Sequence, residues 1–311
     1  MASIVIGFTT AQIAVLTTAQ IQHLSSADIA ALTTLQLSAL GTDNIVALKT
    51  NQIQALNTAQ IASLNTDQVA AIETADIAVL KTNQLQALST AGVAALSTDQ
   101  IQAVSTAGIA ALKTNQVAAL TTDQIVAIET AQIQALTTAG LAALSTDQVA
   151  AIETSDIEAL KTNQIASLTT ASVAALTTDQ VVALTTDQVQ AVSTAGIAVL
   201  SSDQVAAIET ADIAVLKTNQ LQALSTAGVA ALTTGQIQAV TTADIAALKT
   251  NQVAALTTDQ IVAIETAQIQ ALTTAGLAAL STDQVAAIET SDIEALKTNQ
   301  IASLTTASVA A

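Results

Sequence analysis

The chain has no cysteine, proline, tryptophan or tyrosine, and Phe8 is its one phenylalanine in 311 residues. Each absence excludes something. Without cysteine there is no disulfide framework, no thiolate metal site and no thiol nucleophile. Without aromatics there is little to span the wide gaps of an ordinary globular core. The 51% of hydrophobic residues are mostly Ala, Ile, Leu and Val, which implies a narrow core of constant cross-section. Basic residues are also scarce. Seven Lys stand against 24 acids, there is no Arg, and the net charge is −17. That balance argues against nucleic acid and against an anionic membrane surface as partners. It also keeps an apolar array soluble. The first residues lack the basic and apolar stretches of a secretory signal. Nowhere is there an apolar run approaching the roughly 20 residues of a membrane span, so no membrane insertion is expected.

What is present is a repeat. From Thr9 the sequence divides into octads without insertion or deletion, as in Thr9–Leu16 (TTAQIAVL), Lys49–Leu56 (KTNQIQAL), Glu73–Leu80 (ETADIAVL) and Ser97–Val104 (STDQIQAV). The consensus is x-T-x-Q-[IVL]-x-A-[LIV]. A longer period overlies it: Lys113–Ala175 recurs identically at Lys249–Ala311, seventeen octads later. Residues 1–72 are less regular, with His23, Leu35 and Gly41 off the consensus, and read as N-terminal capping octads. Residues 73–311 form the regular array with its 136-residue duplication. The array stops one residue short of a complete octad, which reads as a cut through a longer one.

The period decides the fold class. Eight residues at about 100° each overshoot two helical turns by about 80°. The apolar fifth and eighth positions would therefore wind around a continuous helix and form no stripe. A β-solenoid is the alternative, but strands put residues two apart on one face, and here the large aliphatics are three apart. In one short helix per octad, positions five and eight share a face. Position two is Thr or Ser throughout, suited to an N-cap. All sixteen Asp fall at position three or four, near the positive end of such a helix. All seven Lys fall at position one, just past the preceding helix. The pattern predicts an all-α solenoid of short capped helices, with three octads per coil (four being the alternative). Position four, which varies among Gln, Gly, Asp and Ser, reads as an exposed or corner position. Proline at Thr146, taken as a cap, is expected to break local stacking.

No catalytic, cofactor-binding or metal-binding residue is assigned. His23 has no nucleophile or orienting partner in a pattern that would make it a base. Asp147, Glu153, Asp156 and Glu158, copied at Asp283, Glu289, Asp292 and Glu294, form the densest acidic stretch and suggest calcium. Helix-start electrostatics already explains the Asp positions, and Lys161 and Lys297 follow to offset the charge. Stacked coils would align Thr at positions one and two into ladders, as an ice-binding face requires. A hydroxyl engaged in capping at position two and a mixed position one both oppose that use.

The octads TTAQIAVL, ETADIAVL and KTNQLQAL resemble repeat tracts of very large bacterial surface-associated or adhesin-type proteins. The resemblance covers the chain from Thr9 onward. It implies a rigid extracellular or cell-surface spacer, scaffold or filament subunit and no enzyme, although a cytoplasmic location is also compatible with the sequence. Its partners would be itself, by end-to-end stacking or as part of a longer parent array, and a surface polymer. The alternative is a solenoid that binds ice, calcium or polysaccharide through Thr or acidic ladders.

Overall fold

A computed structural model describes residues 5–304. They form thirty-seven helices, numbered α1 (Thr10–Ala14) to α37 (Thr298–Ile301) in chain order, one per octad and four to six residues long. No strand occurs among the described residues. A helix of this length cannot persist alone in water. Its stability comes from packing, and within each of the two compact units the packing has a simple rule: each helix lies against the third one after it. The pairs α8 (Thr66–Ala70) with α11 (Thr90–Ala95), and α25 (Ser202–Ala207) with α28 (Thr226–Ala231), are the most extensive. Three octads therefore make one coil.

The chain forms two compact units, residues 1–160 and 161–311. Within each, the position-five and position-eight aliphatics face inward, Ile301 at 44% exposure being the exception at position five. Ile13, Ile125 and Val205 are fully buried, and position eight is nearly so, as at Leu136 and Leu232. Positions one to three are exposed almost throughout, and Ala at position seven is commonly half-buried. One octad thus supplies two core side chains and a three-residue edge.

The helix begins one residue earlier than the expectation placed it. Position one is the N-cap, with extended backbone, and position two is the first helical residue. Where position one is Ser, Thr or Asn, its side chain accepts from the position-four N–H, as Ser97 does from Gln100 at 3.1 Å and Ser145 from Gln148 at 3.2 Å. Where it is Lys or Glu, no side-chain cap forms, and the position-four N–H turns to the position-one carbonyl. Gln52 N–H reaches the Lys49 carbonyl at 2.8 Å, and Gln132 N–H reaches that of Glu129 at 2.8 Å. The first turn tightens into a 3₁₀-type bond, which satisfies the same orphan donor. The Asp residues are accordingly the second and third helical residues and still face the positive helix end.

This shift reverses the expectation for Thr146. Proline is favoured at the first helical position, where its missing N–H would have no intrahelical partner. Ser145 before it already has φ −69° and ψ 165°, the extended conformation that proline imposes on its predecessor. Thr146→Pro should therefore be tolerated, with a melting temperature equal to or above that of the parent. Ser145→Ala should cost about 1 kcal/mol. Urea melts of the two variants test the assignment; the opposite order would return the cap to position two.

The lysines sit where a cation is favoured, but the helix end they serve is not the one directly before them in sequence. Lys81 Nζ donates to the Gln54 carbonyl at 3.0 Å, and Lys217 Nζ to that of Gln190 at 2.9 Å. Gln54 is the C-cap residue of a helix one coil below, and Gln190 lies in the last turn of one. The lysine neutralises its dipole and ties two coils together.

Candidate functional site

Position four is the residue on which the array turns, and it is buried, not exposed. Gln52 is fully buried, and Gln116 and Gln236 are each 1% exposed. Its amide does three things at once. Gln116 Oε1 accepts from the Lys113 N–H at 2.9 Å, closing the N-terminus of its own helix. Gln116 Nε2 donates to the carbonyls of Leu85, at 2.8 Å, and Leu88, at 2.9 Å. Those are positions five and eight of an octad one coil below, at a corner where the Leu85 carbonyl also accepts from the Leu88 N–H at 3.2 Å. The same pair of bonds recurs at Gln52, Gln60, Gln84 and Gln132, and in the second unit at Gln220, Gln252 and Gln268. Among the described residues no buried side-chain polar atom is left without a partner. Where position four is Gln, one side chain therefore serves as half of a capping box and as the pin between coils.

The other residues at position four use the same space differently. Asn44 is shorter and reaches only the Leu16 carbonyl, at 3.1 Å. At Gly108 the space is closed from below. A Cβ there would lie 2.6 Å from Leu85 Cδ1 and 2.8 Å from Val104 Cγ1, so these side chains, not a neighbouring backbone, occupy the space and would have to shift for any larger residue. Asp replaces the amide donor with an acceptor, and its partner changes. Thr218 Oγ1 donates to Asp244 at 2.7 Å and Thr266 Oγ1 to Asp292 at 2.7 Å, from position two of the coil below.

Asp76, Asp156 and Asp212 are 2–3% exposed, and burial pushes their carboxyls above the ordinary 3.8. Hydrogen bonds from Thr50, Thr130 and Thr186 oppose the rise, and the charges of Glu73, Glu153 and Glu209 add to it. The folded state thus holds these protons more tightly than the unfolded chain does. Their stabilising contribution is fully present below pH 3.8 and is lost as pH rises through the raised values. At neutral pH the three are burdens on the fold. Gln at these places regains the amide pin, so the triple variant D76Q/D156Q/D212Q should gain roughly 1 kcal/mol per site at pH 7. The advantage should shrink as the pH approaches 3.8. Melting curves across pH would show this; an equal gain at all pH values would refute it.

The acidic stretch considered for calcium does not converge. Asp156 and Asp292 are buried and engaged by threonine, while Asp147, Glu153 and Glu158 lie on exposed positions of two successive octads, as do Asp283, Glu289 and Glu294. Among the described residues no group of three or more His, Asp or Glu is placed to hold a metal. His23 is exposed at the end of α2 (Thr18–His23), beside Phe8, Leu16, Gln20 and Leu24. Position-two hydroxyls are not engaged in capping, contrary to expectation. Apart from Ser26 and the threonines bound to Asp, no hydrogen bond of theirs is found among the described residues, and they stand exposed along the coil edges.

The residues that carry this geometry are a position-eight aliphatic, a corner, a capping residue, Thr and Gln. The profile of the ALTTAQ repeat spells that same run, from position seven to position four. It matches residues 23–186 and 205–311 in ten overlapping stretches. The chain belongs to the ALTTAQ repeat family. No curated protein matches the chain. In this ALTTAQ array the name residues are the joint between successive helices and the pin between successive coils.

Sequence reasoning missed the pin because position two is more uniform than position one, which drew the capping role to it. The signal was present: Ser or Thr at position one with Gln three residues on is the capping-box spacing.

Proposed function

We propose that this ALTTAQ chain is a structural scaffold: a spacer or filament subunit outside a bacterial cell, with no catalytic role. The observation that carries the reading is the use of position four. Its polar groups are spent on holding coil to coil, and the core is uniform from octad to octad. A protein built this way presents repeated edges and no singular constellation. No helix among the described residues is long and apolar enough to cross a membrane. The partners that fit are further octad coils, in the same or another copy, and a surface polymer. Immunogold labelling of intact cells tests the reading. Label on the outside supports it, and label confined to the cytoplasm contradicts its location.

A second reading is favoured by one observation. The position-two hydroxyls are exposed and mostly unengaged, so a Thr ladder is available for ice or polysaccharide. Thermal hysteresis and glycan binding by the chain would support it, and calcium titration would address the acidic edge. Null results leave the scaffold.

A further inference from the structure

Position six carries glutamine in nine octads, and the structure sorts them into two kinds. Gln54, Gln86, Gln134, Gln190, Gln222 and Gln270 are half-buried. Each donates Nε2 to the position-seven carbonyl of the octad three on, as Gln86 does to Ala111 and Gln134 to Ala159, both at 2.7 Å. Gln22, Gln102 and Gln238 are exposed, and no side-chain hydrogen bond of theirs is found among the described residues. The difference lies at position four of the octad above. Over the six donors it is Gly108 or one of Asp76, Asp156, Asp212, Asp244 and Asp292. Over the other three it is an amide: Asn44, Gln124 or Gln260.

The lysines complete the arrangement. All seven stand 27 residues after a position-six glutamine, from Gln22 and Lys49 to Gln270 and Lys297. The duplication copies three of these pairs, so four are independent. Lys81, Lys217 and Lys297 donate to the backbone carbonyl of that same glutamine, at 3.0, 2.9 and 3.4 Å. The bracket is reciprocal. Gln54 reaches up to the Val79 carbonyl at 3.2 Å, and Lys81 reaches down to that of Gln54. Lys49–Leu56 and its counterpart Thr185–Val192 differ at four of eight positions, yet both keep the glutamine.

A bracket reverses the usual direction of bonding. Elsewhere the upper octad's Gln donates downward. Here the lower octad donates upward, from Gln at position six and from Thr at position two to the Asp carboxylate. The two kinds do not mix. Glutamine above glutamine leaves the lower amide in water, as at Gln102, and aspartate above alanine forgoes both the downward pin and the upward one. The spacing is unambiguous. From each of the six donors, the octads two on and four on all have Gln at position four. A slip of one octad in either direction therefore mismatches all six.

We propose that these brackets are a register code. They select, among near-identical octads, the one that each marked octad accepts above it. Octads of nearly one sequence offer competing pairings, and equal alternatives yield an ensemble in place of one fold. The selection costs stability, because each aspartate gives up the amide pin. It fixes spacing and not side, so whole blocks copy with the code intact, and it serves a spacer and a ligand-binding array alike.

The test uses the full chain. In one variant Asp76, Asp156, Asp212, Asp244 and Asp292 all become Gln. A charge-matched control makes the same change at the exposed Asp67, Asp99, Asp123, Asp179 and Asp203. Spin labels on Ala131→Cys and Ser155→Cys, three octads apart, read the register after refolding from urea. Parent and control should each give a single distance. The code-erased variant should melt no lower at pH 7, yet show a second, longer distance in at least about a tenth of molecules. A single distance in that variant overturns the proposal, as does a second distance in the control. Should the variant fail to refold, a double-mutant cycle decides. Gln54→Ala should raise the unfolding constant at least about fivefold in the parent and less than about twofold beside D76Q, where the amide has already lost its bond. Equal effects in the two backgrounds overturn the code.

Discussion

Gln116→Glu is expected to destabilise the first unit by on the order of 3–5 kcal/mol at neutral pH. The glutamate can still accept from the Lys113 N–H. It cannot donate to the carbonyls of Leu85 and Leu88, and it brings a negative charge within bonding distance of two acceptors. The site is 1% exposed, so water cannot repair the loss. Acid should restore part of the stability, because a protonated carboxyl regains one donor. The control is internal. Gln12→Glu makes the same chemical change where no coil lies below, and should shift the melt by little. Equal losses at the two sites would mean that the amide serves only its own helix, and the coil-to-coil pin would have to be abandoned.

Ile125→Ala should cost about 2–5 kcal/mol, and Val126→Ala next to it less than about 0.5 kcal/mol. Ile125 is fully buried at position five, whereas Val126 at position six is 46% exposed. The core is one side chain deep on each side of the coil. A missing isoleucine leaves a cavity that neighbouring aliphatics, fixed by their own octads, cannot close. Urea denaturation of both variants reads the contrast. Similar values for the two would contradict the inward placement of position five.

Much of this architecture was legible before any coordinates. The octad and its helical character follow from the spacing of the aliphatics and from the charge placement, because these express local physics, whereas neither decides between three and four octads per coil. Two assignments were not legible. The sequence alone places the cap one position late, since Thr146 and its equivalents are more uniform than Ser145 and its equivalents. Uniformity there reflects neither a cap nor a bond required by the fold in most octads. Position four reads as exposed in the sequence because it varies among Gln, Gly, Asp and Ser. Its partners lie 28 and 31 residues back in sequence, as in the bonds from Gln116 to Leu88 and Leu85, and no local pattern reveals them. Each residue type there has its own means of filling or bonding the site. Gln donates twice, Asp244 accepts from Thr218, and Gly108 yields its space to Leu85.

The duplication shows the same locality. Seventeen octads is not a multiple of three, yet Gln132 and Gln268, 136 residues apart, make matching bonds: to Ile101 and Val104 at 2.9 and 2.6 Å, and to Ile237 and Val240 at 2.9 and 2.6 Å. An octad does not require a particular side of the coil. It requires only an octad pattern one coil below. That equivalence lets an array grow by copying blocks of any whole number of octads.

The central claim is that three octads close one coil, and a pair of spin-label distances tests it most directly. Labels on cysteines replacing Asp99 and Asp123, three octads apart at exposed position three, should be separated by about one helix-packing distance plus the label linkers, with helix axes ~8–10 Å apart. Labels replacing Asp99 and Ala131, four octads apart, should lie distinctly farther from one another. If the second pair proves closer than the first, the coil holds four octads, and the amide pins assigned here join the wrong partners.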